Sequence, residues 1–325
     1  MIRIRNATKT FSSFKAVDNI SLDIKERETL VLLGTSGCGK TTTLKLINRL
    51  IELSAGSIEV AGKNIQQQKP EELRRRIGYV IQGAGLFPHY TVKENIAVVP
   101  RLLGWNKSKT ETQTSRILEI MGLSAQKYLW KYPRELSGGQ QQRVGLARAL
   151  VTDPPVVLMD EPFGALDPIT RSSILHEFRN LEALRHKTVI LVTHDIQEAF
   201  ELGDRICLMD KGEIQQLGTP KELVFQPANA FVRRFLQERR FQLQLQVLQL
   251  AELHSYLQPH LTFTDTNIIT LPGTASVLEA TQLLSVATYP RPVIALEATA
   301  TTPALHLGIS DIMAAVDKYI QTLNL

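Results

Sequence analysis

The stretch Gly34-Thr35-Ser36-Gly37-Cys38-Gly39-Lys40-Thr41 spells the pattern G-x-x-x-x-G-K-[ST], a set of residues suited to holding a phosphate. Its glycines let backbone N–H groups converge on one anion, and a helix beginning there aims the positive end of its dipole at the same point. Lys40 supplies a charge for β- and γ-phosphates, and Thr41 a hydroxyl for Mg²⁺. A turn containing glycines matches this pattern by chance on occasion. Here the apolar run Thr29–Leu33 precedes it and Thr42-Thr43-Leu44-Lys45-Leu46-Ile47 follows, so it sits between a strand and a helix.

Further groups suit the same chemistry. Pro155-Val156-Val157-Leu158-Met159 is a continuous apolar strand ending in Asp160-Glu161, at the carboxyl end where open parallel sheets place their ligands. Adjacent carboxylates there point to different sides: Asp160 would hold Mg²⁺ through its water shell, and Glu161 would polarise an attacking water. Thr188–Val192 is a second such strand, and His194 lies just past its end, within reach of a γ-phosphate, although a lone histidine is more often structural. Gln82 follows the apolar Gly78-Tyr79-Val80-Ile81 and is both donor and acceptor, able to bridge Mg²⁺ and a moving segment. By itself it is a weak signal. In Leu136-Ser137-Gly138-Gly139-Gln140, Ser137 can cap the next helix. Capping does not require the two glycines, which also allow close backbone approach to an anion. Phe11 is either core or a plate for a base.

The elements that must position these residues follow from periodicity. Ile2 and Ile4, then Ile20, Leu22 and Ile24, share one face of an antiparallel flap with a turn near Ser12-Ser13. Ala55–Gly62 is hairpin-like, Glu71–Ile77 is a basic solvated helix, and residues 83–151 turn mainly helical, with Ser115–Leu123 and Arg143–Val151 amphipathic. The 325 residues, 43% hydrophobic, fit about two globular domains. No 18-residue apolar run and no apolar segment at the start are present, which predicts neither a membrane span nor a secretory signal and so a cytoplasmic location. The two cysteines, Cys38 and Cys207, exclude a disulfide framework. Residues 241–325 hold two basic residues (Arg291, Lys318) against six acidic ones, a net −4, so with +5 over the whole chain residues 1–240 carry +9. Nucleic acid, an anionic membrane surface, or a nucleotide plus a solvated face all fit a basic body, the last most commonly.

In order and completeness, these motifs resemble the ATP-binding subunits of ATP-binding-cassette transporters over residues 2–236. The resemblance implies an α/β P-loop NTPase cassette: a RecA-like α/β core, an antiparallel β subdomain and a helical insert over about 83–151. It implies ATP and Mg²⁺ as cofactors, Glu161 as general base, His194 as γ-phosphate switch, and Thr41, Gln82 and Asp160 about the metal. Phe11 falls at the adenine-stacking position. Gly34 to Thr42 form one half of the nucleotide site. Ser137, Gly138, Gly139 and Gln140, with Asp167 of Ala165-Leu166-Asp167, serve a head-to-tail homodimer in which each ATP is sandwiched between one chain's loop and the other's Ser137 segment. Cys38 stands where serine is common, at a position that contributes mainly backbone.

A narrower resemblance is to importers of osmoprotectants such as glycine betaine, choline and proline betaine. It rests on Ile77–Gln82, Gly85-Leu86-Phe87-Pro88-His89 and Thr42–Leu50, with Gly83-Ala84 a minor departure. It implies an integral membrane permease docking on the Gln82–His89 region, an extracytoplasmic substrate-binding protein, and a peripheral place on the cytoplasmic face of the membrane. The alternatives are an importer of another solute, such as an amino acid, and, remotely, a soluble cassette acting on DNA or the ribosome. The second is disfavoured because the chain has neither a sustained heptad pattern nor a second phosphate loop, so no nucleic acid is expected.

Residues 237–262 are expected to be a linker into a module over 263–325. There the order strand (Ile268–Leu271), helix (Ala275–Ala287), strand (Pro292–Leu296), strand (Leu305–Ile309), helix (Ser310–Leu323) is similar to one cystathionine-β-synthase-type repeat. One such unit needs another to pair with, which predicts pairing of two tails across the homodimer. In Gly308-Ile309-Ser310-Asp311 the Asp falls two places earlier than in that family's nucleotide-contacting pattern.

Overall fold

The computed structural model describes residues 1–164, 166, 167, 171, 174, 175, 177–179, 181–257, 268–286, 293–296 and 305–323. The chain forms two compact units, Met1–Thr219 and Pro220–Leu325.

The first unit contains ten strands among its described residues: β1 (Ile2–Phe11), β2 (Phe14–Ile24), β3 (Thr29–Gly34), β4 (Ala55–Val60), β5 (Lys63–Asn64), β6 (Ile77–Val80), β7 (Val156–Asp160), β8 (Thr188–Val192), β9 (Arg205–Asp210) and β10 (Glu213–Gly218). They make an antiparallel sheet ordered β2-β1-β4-β5 and a six-stranded sheet ordered β10-β9-β3-β8-β7-β6. In the latter, β9, β3, β8, β7 and β6 run parallel, and β10 pairs antiparallel with β9 at one edge. Every residue of β7 and β8 is buried, as expected of strands covered on both faces. In β1, by contrast, Ile2 and Ile4 are buried while Arg3 and Arg5 are exposed. Ile2, Ile4, Leu22, Ile24 and Ile58 of the antiparallel sheet share one core with Leu30, Leu32, Leu158 and Ile190 of the parallel sheet and Leu44 of the helix Lys40–Ile47.

The insert is helical over Val92–Ile96, Val98–Leu102, Lys107–Ile120 and Gly138–Leu150. Two of these helices begin earlier than their apolar periodicity indicates, because caps rather than burial start them. Asn106 accepts from the Lys109 amide at 2.8 Å, and Ser137 and Gln140 form a capping box.

The second unit carries helices Pro220–Phe225, Ala230–Leu236 and Arg240–Val247 and a 3₁₀ stretch Leu250–Tyr256. β11 (Ile268–Leu271), helix Val277–Val286, β12 (Val293–Leu296), β13 (Leu305–Leu307) and helix Ile309–Thr322 follow. The sheet order is β11-β12-β13, with the first pair parallel and the second antiparallel. The division between units thus falls at Thr219/Pro220 rather than near 236. The stretch expected as a linker is helical as far as Tyr256, and residues 258–262 lie outside the described residues, as do Ala165, Ala287 and Pro292 of the expected elements. The alternation Leu243-Gln244-Leu245-Gln246 has no helical period, but Leu and Gln are both strong helix formers. Leu243, Leu245, Leu248, Leu250 and Leu253 are all buried. Tyr319 meets Phe225 and Tyr256 edge-on, at centroid distances of 6.0 and 5.7 Å, so the last helix packs on the segment that opens this unit.

Candidate functional site

The register of the parallel sheet brings the carboxyl ends of β3, β8, β7 and β6 to one edge, with Asp160 opposite Val192 and Val80 opposite Met159. The phosphate loop leaves β3 there, against the backbone of its neighbours. A Cβ on Gly34 would stand 2.1 Å from the Met209 carbonyl oxygen, and one on Gly39 2.4 Å from that of Ala16. Both have positive φ, 150° and 105°, so any other residue is excluded twice over. Gly39 then precedes the helix Lys40–Ile47.

Lys40 is buried, and its ammonium donates to the carbonyls of Gly34 and Thr35, both at 2.8 Å. Thr35, Ser36 and Gly37 form the exposed crest of the loop, while Thr42 is half-buried in the helix behind it. Cys38 is buried with its sulfur 3.6 Å from the Lys40 ammonium, and burial pushes its thiol upward against that cation. Thr41 Oγ1 donates to Asp160 Oδ1 at 2.8 Å. Burial raises the Asp160 carboxyl above its ordinary range, opposed by this hydrogen bond and by Lys45 and Lys40. Tyr79, on the adjoining β6, is pushed up to about 12 by burial and then by the Asp160 charge.

Glu161, the next residue, adopts φ 44°, a left-handed conformation that turns its side chain off the end of the strand. Its amide is held by the Val192 carbonyl at 3.0 Å. Gln82 Nε2 donates to Glu161 Oε2 at 3.1 Å, and His194 Nδ1 lies 3.3 Å from Glu161 Oε1. The carboxylate is therefore gripped on both oxygens by residues from two other strand ends. Behind His194, Thr193 Oγ1 donates to the buried Glu198 at 2.5 Å and accepts from the Asp195 amide. Arg171 joins the Leu166 carbonyl to Asp195 and lies 3.8 Å from Glu198.

The sequence-derived residues Lys40, Thr41, Gln82, Asp160, Glu161 and His194 thus meet at one edge. Ser137, Gly138, Gly139 and Gln140 form a separate group at the start of the helix Gly138–Leu150. Ser137 Oγ accepts from the Gln140 amide, Gln140 Oε1 from the Ser137 amide, and Gln140 Nε2 donates to the Tyr128 hydroxyl. Ser137 and Gly138 are exposed. Phe11 is not core: its ring is 47% exposed at the end of β1, with the Lys9 ammonium 4.9 Å from its centroid. Asp167 is exposed, and its carbonyl accepts from the Arg171 amide.

Several residues at the site carry no motif. Asn95, fully buried, accepts from the Phe87 amide and donates to the carbonyls of Phe87, Tyr90 and Thr91, while Arg148 donates to those of Ala84 and Gly85. Together they fix the segment after Gln82. Asp210, at the end of β9, accepts from Thr35 Oγ1 at 3.1 Å. A signal for it exists: Leu208-Met209-Asp210 repeats the Leu158-Met159-Asp160 that ends β7.

A parallel sheet whose first glycine-rich turn grips a lysine, with a carboxylate pair and a histidine at neighbouring strand ends, defines a P-loop nucleotide-binding cassette. Residues 17–164 match the family model described as ABC transporter. The chain is 52% identical over 245 residues to the osmoprotectant import ATP-binding protein OsmV of Salmonella typhimurium, covering 74% of this chain and 64% of that relative's length. It is 46% identical to the glycine betaine uptake system ATP-binding protein YehX of Escherichia coli, over 79% of this chain and 83% of the relative. Among solved structures it resembles the dimeric ATP-binding cassette MJ0796 in a post-hydrolysis state bound to ADP and Pi, with TM-score 0.60 and 33% identity over 67% of this chain and 98% of that one. The chain belongs to the ABC-transporter family of ATP-binding cassettes. No helix among the described residues is long and apolar enough to cross a membrane.

Proposed function

We propose that the chain is the ATP-hydrolysing subunit of a membrane importer of quaternary-ammonium osmoprotectants such as glycine betaine or choline, working as a head-to-tail pair. The observation that carries this reading is the grip of Gln82 and His194 on the two oxygens of Glu161, beside the Thr41–Asp160 pair. The names of the similar proteins in Salmonella typhimurium and Escherichia coli support the substrate class.

Glu161 acts as general base, its carboxylate oriented by Gln82 and His194 to take the proton of the attacking water. Lys40 and the loop amides bear the charge of the phosphates, and Phe11 stacks on the adenine. The hydroxyl of Thr41, the carboxylate of Asp160 and the amide of Gln82 are a hard oxygen donor set that fits Mg²⁺ and would hold it. That ion neutralises phosphate charge when bound. The exposed Ser137 hydroxyl, Gly138 and Asp167 serve the nucleotide of a second copy, so closure of the pair completes the site.

A permease docks at Gln82–His89, where Phe87 is exposed and its ring centroid lies 5.3 Å from that of Tyr90, the exposed next residue after the segment. An extracytoplasmic binding protein delivers solute, and the cassette is peripheral on the cytoplasmic face. The cassette occupies residues 1–236, the whole of the first compact unit together with the opening helices Pro220–Phe225 and Ala230–Leu236 of the second. The β-α-β-β-α tail acts as one cystathionine-β-synthase-type repeat that pairs with its copy, in a dimerisation role or in regulation by ionic strength, and the displaced Asp311 argues against nucleotide binding.

The test is uptake of labelled glycine betaine and choline at raised osmolarity in cells lacking other betaine systems, comparing wild type with Glu161→Gln. The variant is expected to bind ATP and lose turnover by about 10³-fold, within the range for a general base, with uptake abolished. Uptake equal to wild type overturns the osmoprotectant assignment, and unchanged ATP turnover overturns the role of Glu161.

A further inference from the structure

The phosphate loop is tied at both ends by the same tripeptide on two different strands. Leu158-Met159-Asp160 ends β7, and Asp160 Oδ1 accepts from Thr41 Oγ1 at 2.8 Å, at the loop's end. Leu208-Met209-Asp210 ends β9, and Asp210 Oδ1 accepts from Thr35 Oγ1 at 3.1 Å, at its beginning. The first tie belongs to the family's metal chemistry. The second faces the opposite flank of the loop, where β9 adjoins β3 and Met209 pairs with Gly34.

Asp210 is held in place independently of nucleotide. It opens the β9–β10 hairpin, pairing with Glu213 across Lys211 and Gly212. These two residues have φ of 49° and 84°, the positive pair that makes a two-residue hairpin turn stiff and matched to strand twist. The Gly212 amide donates to the Cys38 carbonyl at 3.1 Å, and the Gly212 carbonyl accepts from the Asp18 amide of β2 at 2.9 Å. The Met209 carbonyl oxygen fills the space a Cβ on Gly34 would need. One turn therefore touches the loop at Gly34, Thr35 and Cys38. Thr35 matters most, because its carbonyl is one of the two that hold the Lys40 ammonium. Fixing its hydroxyl to Asp210 fixes the orientation of the peptide on which Lys40 rests.

We infer that Asp210 is a positioning residue for nucleotide binding, which sets the Thr35 peptide and through it the Lys40 ammonium. It acts on affinity through the loop and touches none of the reacting atoms. This rests on the nucleotide-binding reading above.

The experiment is equilibrium titration of a fluorescent ATP analogue, with Mg²⁺, into the full-length chain. ATP turnover of the wild type is read in the same preparations, so that failure of the hydrolase reading shows separately from failure of this one. Asp210→Ala is expected to weaken binding about tenfold, the scale of one charge-assisted hydrogen bond, raising KM for ATP with kcat changed less than about twofold. Asp210→Asn, which keeps the acceptor but not its charge, is expected to recover most of the lost affinity. Thr35→Val removes the donor and should match Asp210→Ala, and the double variant should be no worse than either single, since both break one interaction. Wild-type affinity in Thr35→Val and Asp210→Ala, additive losses in the double variant, or an Asn variant as weak as Ala would each overturn the inference. Should Asp210→Ala disturb the hairpin, Thr35→Val and Asp210→Asn still decide it.

Discussion

The loop Gly34–Thr41 and the segment Ser137–Gln140 are both glycine-bearing starts of helices, yet they are built in opposite ways. The loop is enclosed: Met209 and Ala16 close on its glycines, Asp160 and Asp210 hold its two threonines, and Lys40 is buried beneath its crest. The Ser137 segment is held by its own capping box and by Tyr128, and it presents Ser137 and Gly138 to solvent. An enclosed half can bind a phosphate with its own donors, whereas an exposed half presents the Ser137 hydroxyl and Gly138 to something delivered to it. On the proposed head-to-tail pairing these are two unlike half-sites, each completed by a second copy.

The most damaging change on the enclosed side is Lys40→Ala. It removes a buried cation from the centre of the loop, and nucleotide affinity is expected to fall at least about a hundredfold, with turnover at background, read by titration and phosphate release. On the exposed side, Ser137→Arg should separate the halves. Affinity of the dilute chain for nucleotide is expected to stay within about threefold of wild type while turnover drops by about a hundredfold, because the bulky side chain blocks closure of the pair. Equal effects on binding and turnover would erase the contrast between the two segments.

The smallest effect lies in the support of the enclosed half. Burial raises the Glu198 carboxyl above its ordinary value, against the hydrogen bond from Thr193. The native chain therefore keeps this proton to higher pH than the unfolded chain. Stability contributed here falls as pH rises from the unfolded carboxylate value through the native one. Glu198→Gln should flatten that part of a Tm-against-pH curve while leaving nucleotide affinity near wild type.

Much of this was legible in the sequence. The apolar runs that became β3, β7 and β8 carry their chemistry at their carboxyl ends, so Lys40, Asp160, Glu161 and His194 could be placed before any coordinates. The helix start at Lys107 was hidden because a cap, being a local hydrogen bond, does not alter hydrophobic period, whereas the start at Gly138 was marked by Ser137 as a capping residue. The helix Arg240–Val247 was hidden by its Leu-Gln alternation, where propensity and packing overrode a strand-like pattern. Asp210 was hidden because its partner lies 175 positions away in sequence, and only the register of β9 against β3 brings them together. By residue type alone Phe11 fitted core or surface; the resemblance placed it at the adenine-stacking position, and its side chain is exposed.

The backbone at Glu161 has a consequence for how such a chain changes over generations. A glutamate at φ 44° holds a conformation that glycine adopts freely, at a cost on the order of 1 kcal/mol or more. Given the proposed role of Glu161 as general base, selection for thermal endurance alone would favour glycine there and produce a hardier, inert cassette. Retention of glutamate at this position in any descendant is therefore a record that turnover, and not merely survival of the fold, was still being selected.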